Sequence, residues 1–215
     1  DLKLPDFQRA TLDNGLQILL AQRTETPLVE LSLVFDAGYA ADSMAGKPGV
    51  ASLTLDMLDE GADGQSNVQI SSILQSLGSS VSSGASLDTA YIDLSGLPET
   101  LDKAMDVYAD VVRRPDFPAD ELERLKQQQV ARIKQEQSRP FSLALRVLPP
   151  LLFGETHPYG IPLTGSGNED SVMALGRDDL VSFHQRWIRP DNAVLVAVGD
   201  IDMPTLQDRR HVDIT

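Results

Sequence analysis

Residues 192–200, NAVLVAVGD, are an almost unbroken apolar run of strand length that ends on Gly and Asp, the pattern of a buried β-strand. The position of this run decides the fold. It follows RDDLVSFHQRWI (177–188), whose spacing is helical, so a strand this late must return to a sheet begun far upstream. The sheet begins near the other end of the chain. FQRATL (7–12) and LQILLAQ (16–22) flank Asp13-Asn14-Gly15, a turn suited to positive φ, and read as a β-hairpin. LVELSLVFDAG (28–38) is a third strand, and SSVSSGASLDTAYIDLSGL (79–97) gives two more, reversing near Gly84 to Asp88.

Helical segments fill the intervals. GVASLTLDMLDEG (49–61) predicts a helix over 49–60 stopped by Gly61, and SNVQISSILQSLG (66–78) predicts a second that also ends on Gly. PETLDKAMDVYADVVRRP (98–115) is amphipathic through Leu101, Met105, Tyr108 and Val112, with Pro98 in its first turn. A long helix over 117–140 carries a thin apolar stripe of Leu122, Leu125, Val130 and Ile133. FSLALRVLPPLLFG (141–154) then leads into a loop, ETHPYGIPLTGSGNEDS (155–171). This order describes an α+β fold of one domain over 1–215, with helices covering a mainly antiparallel sheet.

Composition removes several classes of function. The 18 Lys and Arg stand against 32 Asp and Glu, and the resulting charge of −14 repels nucleic acid and anionic lipid. Without cysteine there are neither disulfides nor thiolate metal sites, and no apolar run is long enough for a membrane span. The chain opens DLKLPDF with no Met and no signal-peptide pattern. It closes with a helix start at Met203-Pro204 that runs into a polar tail over 204–215, so a fragment of something longer is expected. No phosphate loop and no G-x-S-x-G elbow is present, and His157, His184 and His211 lack metal-ligand spacing.

Five strings in this order, LDNGLQILL (12–20), VFDAGYAAD (34–42), the helix at 49–60, HPYGIPLTGS (157–166) and WIRPDNAVLVAVGDI (187–201), resemble the pitrilysin family of zinc peptidases, which includes insulin-degrading enzyme and mitochondrial processing peptidase. Active members carry H-x-x-E-H on a helix: two imidazoles one turn apart hold zinc, and the Glu takes a proton from bound water. With Gly49 and Met57 as anchors, the resemblance puts Ser52 at the first His, Leu55 at the general base and Asp56 at the second His. The family's third ligand, a Glu on a later helix, corresponds to Arg132. Neutral serine ligates poorly, leucine accepts no proton and arginine cannot bind a cation, so this domain is expected to hold no cofactor, zinc residing in a partner half.

The resemblance implies a non-catalytic half of a clamshell, this chain being its first domain. It would be joined to a zinc-bearing homologous half in the same chain or as a separate subunit, and would help to enclose peptide substrate, in a periplasmic setting. In the catalytic half of the family, peptide adds as a strand to a sheet edge; Ser82, Ser83, Gly84 and Ala85 match that edge here. Asp56 and Arg132 are expected to pair across the vacated site, with Ser52 hydrogen-bonding nearby. Two alternatives accompany this reading. One is a structural subunit like the core proteins of the respiratory cytochrome complex. The other is an atypical metallopeptidase using Asp56, Asp59 and Glu60, whose i, i+3, i+4 spacing would set three carboxylates on one helix face.

Overall fold

The computed structural model describes residues 6–208. The Asn-Gly turn closes the hairpin of β1 (Gln8–Thr11) and β2 (Gln17–Gln22), and β3 (Val29–Phe35) follows. The pair expected over 79–97 is β6 (Ser80–Ala85) and β7 (Ala90–Gly96), and the late strand is β8 (Ala193–Gly199). They form one six-stranded sheet in the order β1-β2-β8-β3-β7-β6. The returning strand is thus central: β8 runs parallel to β2 and antiparallel to β3, and every other neighbour is antiparallel. Leu33 of β3 faces Leu195 of β8 and Ile92 of β7, and all three are buried. This alternation makes one face of the sheet the core.

The first helices along the chain are α1 (Asp42–Ala45), α2 (Val50–Asp56), α3 (Asn67–Ser76), α4 (Leu101–Arg113) and α5 (Ala119–Ser138), of which α2 to α5 place side chains in that core. A capping box between Ser66 and Gln69 starts α3. The apolar stripe of α4 is buried as expected, but Pro98 lies ahead of the helix, which starts at Leu101 after Thr100. The stop expected at Gly61 for α2 is also displaced. The helix ends at Asp56, the amides of Met57 and Leu58 close short turns onto Thr54 and Leu55, and Gly61 enters a small hairpin of β4 (Gly61–Ala62) with β5 (Gln65–Ser66).

Beyond α5 the apolar 141–154 segment is helical, α6 (Pro140–Phe153), in spite of Pro149 and Pro150 inside it. A proline has no N–H for the carbonyl four residues back, and the Leu163 amide satisfies the Leu145 oxygen instead at 3.0 Å. α7 (Glu169–Ala174) occupies the end of the expected loop, capped by Asn168, and α8 (Arg177–Trp187) precedes β8. α9 (Met203–Asp208) takes up the start of the segment expected as a tail; residues 209–215, including His211, lie outside the described residues.

Candidate functional site

The degenerate motif sits on α2, and the start of that helix is tightly made. Asp42 is 2% exposed, and its two oxygens accept from the Gly49 amide at 2.6 Å and the Ala51 amide at 2.9 Å. Burial drives its carboxyl up to about 7 against the opposing pull of those two N–H groups. A loop, Thr164-Gly165-Ser166-Gly167, leans on the same place. Gly167 has φ of +71°, and a Cβ there would meet the Pro48 carbonyl oxygen at 2.4 Å, so no other residue fits without displacing α2.

Two of the four vacated positions, Ser52 and Leu55, have structural tasks. Ser52 donates to the Gly165 carbonyl at 2.9 Å, tying α2 to that loop. Leu55 is fully buried in the core, so nothing reactive is presented where the general base would stand. Asp56 is exposed at the last turn; lost hydration pushes its carboxyl upward, the Arg132 charge pulls it down, and Asp59 and Glu60 push it up. Arg132 does not pair with Asp56, which overturns the expected bridge. Its Nε lies 3.3 Å from Glu136 one turn along α5, an acid already fixed by other partners, so that the pairing orders only one side chain.

The carboxylate face expected of Asp56, Asp59 and Glu60 is not formed either, because α2 ends at Asp56 and the other two lie in the turns beyond it. Glu60 is engaged by the Arg124 guanidinium and by Asn67 Nδ2. Among the described residues no three His, Asp or Glu side chains gather as a metal-holding group. His184 Nε2 donates to the Val112 carbonyl, 2.7 Å away, and burial lowers its pKa, while His157 stacks on Phe153 at the end of α6.

Sequence reasoning missed a buried polar network beside α2. Glu136 of α5 accepts at 2.7 Å from both Arg146 Nη1 and Ser166 Oγ. Arg146 Nη1 also donates to Ser166 Oγ at 2.7 Å, and Nη2 donates to the Gly167 carbonyl at 2.6 Å. Gln129, likewise buried, donates to the Ser166 carbonyl at 3.0 Å. The two Nη groups of one guanidinium thus satisfy a carboxylate, a hydroxyl and a carbonyl together, as burial of such groups requires. The signal was there: Arg146 is the single charge in a fourteen-residue apolar helix.

The expected substrate edge, Ser82 to Ala85, does lie on an edge strand, since β6 ends the sheet and pairs only with β7. Ser83 Oγ donates to the Leu55 carbonyl at 2.8 Å, so this edge is anchored to the motif helix, whereas Ser82 is exposed. Gly84 answers a need inside the sheet. The phenol of Tyr91, its partner across the strands, covers it, and a Cβ would meet the Tyr91 hydroxyl at 2.4 Å.

Residues 17–157 match the insulinase family, peptidase family M16, and residues 174–208 match the peptidase M16 inactive domain. The fold superposes on a peptidase M16 inactive domain from Pseudomonas fluorescens with a TM-score of 0.91 and 31% identity, over 97% of this chain and 50% of that one. It superposes on the periplasmic protease PqqL from Escherichia coli with a TM-score of 0.79 and 20% identity, over 95% of this chain and 24% of that one. In sequence the chain is 23% identical over 203 residues to the zinc protease PqqE of Helicobacter pylori, which covers 93% of this chain and 44% of that protein. The chain spans half or less of the length of each of these relatives.

Proposed function

The chain belongs to peptidase family M16, and we propose that within it this domain is zinc-free and non-catalytic, serving to bind and enclose peptide for a zinc-bearing homologous half. One observation carries the reading: none of the four motif positions presents a zinc donor set, and two of them are built into the fold. Ser52 is bonded to a loop carbonyl, Leu55 is in the core and Arg132 is paired with Glu136. A metal would have to break these contacts and find donors absent from the positions it needs. Binding of peptide is assigned to the edge of β6, whose free backbone groups offer hydrogen bonds without regard to side-chain sequence. A periplasmic setting is part of the proposal, supported by the likeness to PqqL and compatible with the lack of cysteine.

The test is made on the purified chain with a fluorescent extended peptide and its twin N-methylated at alternate residues. Elemental analysis is expected to find no stoichiometric zinc and chromatography no cleavage. Anisotropy should show binding of the plain peptide and loss of binding on methylation, because methylation removes the backbone donors. Stoichiometric zinc with chelator-sensitive cleavage would overturn the zinc-free reading, and equal affinity for both peptides would overturn the assignment to the strand edge.

A further inference from the structure

Where α1 and the start of α2 meet α8, the surface opens into a cleft of about 230 Å³. Its floor is apolar: Val50 and Phe183 are almost wholly buried, and Trp187 and Met44, the latter 61% exposed, continue the apolar lining outward. A large apolar side chain left open beside a cleft is stabilised when a ligand covers it.

The polar groups of the lining divide into those with partners and one without. Lys47 and Asp179 pair with each other, and Asp179 also accepts from the Gly176 amide at 3.0 Å. Ser182 donates to the Asp178 carbonyl at 2.7 Å. Arg186 differs. Its guanidinium makes no hydrogen bond or ion pair among the described residues, and its Cζ lies 5.3 Å from the centroid of the Trp187 ring. The ring attracts the cation but leaves its five N–H donors without a carboxylate. In a chain whose acids outnumber its bases 32 to 18, the cleft carries two cations against one acid.

We propose that this cleft binds a small carboxylic acid with an aromatic or branched apolar body, the carboxylate on Arg186 and the body against Phe183, Val50 and Met44. Three features select that chemistry. A guanidinium presents parallel N–H groups that match the two oxygens of a carboxylate. One free positive charge balances one negative charge, whereas a phosphate dianion would bring an unbalanced charge beside Asp179 and into the field of a −14 chain. Volume sets the size: an apolar cavity of ~150 Å³ holds benzene, so this cleft takes a ring with a short chain and is smaller than the sites of drug-sized molecules. The acid arrives either free or as the last residue of a peptide, and the chemistry recognised is the same. None of the lining residues lies on β6, so this site and peptide addition at that edge can fail separately.

Trp187 is the only tryptophan of the chain, so its emission reports occupancy of the cleft it lines. Titration of the purified chain with 3-phenylpropionate is expected to change that emission saturably, with a Kd on the order of 0.1–1 mM for a ligand of this size. 3-Phenylpropanol, which keeps the ring and lacks the charge, should bind at least ~10-fold more weakly, as should propionate, which keeps the charge and lacks the ring. Arg186→Gln should weaken 3-phenylpropionate by ~10-fold or more, read by calorimetry because the substitution also alters the surroundings of Trp187. Ala45→Phe, at an exposed lining position, should block the cleft while leaving Arg186 in place. A short peptide ending in Phe and its C-terminal amide separate the two sources. Binding of the peptide acid but not of the amide assigns the site to peptide ends, and exclusion of both assigns it to free acids. The proposal is overturned by lack of saturation up to ~10 mM, by equal affinity for the alcohol or the amide, or by full affinity in either variant with a native circular dichroism spectrum.

Discussion

Ser83 and Leu55 meet across two elements: the hydroxyl of the edge strand donates at 2.8 Å to the last-turn carbonyl of the motif helix. That carbonyl also accepts from the Leu58 amide at 3.2 Å, so the Ser83 hydroxyl fills its second acceptor site and fixes β6 against α2. Ser83→Ala is expected to cost about 1 kcal/mol in urea unfolding, the usual net value of one hydrogen bond. Amide exchange should also quicken along β6 while α4 stays protected. Unchanged exchange in β6 would show that the anchor holds nothing.

Tyr91 and Gly84 make a cross-strand pair in which the ring lies where a side chain would stand. Gly84→Ala is expected to destabilise by roughly 1–3 kcal/mol through overpacking of the ring. Tyr91→Ala alone loses packing, but in the double variant the clash is gone, so the two costs should fall short of adding by about 1 kcal/mol. Strict additivity in that cycle would mean that the ring moves aside freely.

The parts of the fold that were legible in the sequence are those with local causes. Asn14-Gly15 wrote the first hairpin, and the apolar run at 193–199 wrote the central strand. The end of α2 was misplaced because Gly61 reads as a helix stop although its backbone is extended and pairs with Ser66. α6 resists assignment because Pro149-Pro150 reads as a break, and the amide that rescues the helix belongs to Leu163, in the loop beyond its end. The buried face of α5 was illegible for the same reason. Lys126, Gln129 and Glu136 look like a solvated surface until Leu175, Ser166 and Arg146 arrive from later segments to satisfy them.

That dependence makes Arg146 the most costly polar side chain to remove. Arg146→Met leaves Glu136 buried with its strongest partner gone, and unfolding should become easier by about 3–5 kcal/mol. Pairing it with Glu136→Gln, which neutralises the stranded charge, should recover more than half of the loss. The loop over 164–167 should exchange faster in the single variant, since Arg146 holds the Gly167 carbonyl and Ser52 the Gly165 carbonyl. If the single variant proves as stable as the parent, the network contributes no net stability and serves only to orient α6.

Asp42 gives the stability a dependence on pH whose sign follows from its burial. Its carboxyl ionises near 7 in the fold against 3.8 for the ordinary group, because burial outweighs the two amides at the start of α2. Below about 4 the residue is protonated folded or unfolded and contributes no difference. Between about 4 and 7 the folded chain binds the extra proton, so stability falls as pH rises through this window and levels off above it. The full fall is on the order of 4 kcal/mol. Asp42→Asn keeps the shape but turns an NH₂ toward one backbone N–H, a cost that is the same at every pH. Urea unfolding of both proteins from pH 4.0 to 7.5 separates the two effects. The variant is expected to be the less stable at pH 4 and to gain on the parent steadily toward pH 7, whereas parallel curves would mean that the Asp42 carboxylate is as well solvated in the fold as in the open chain.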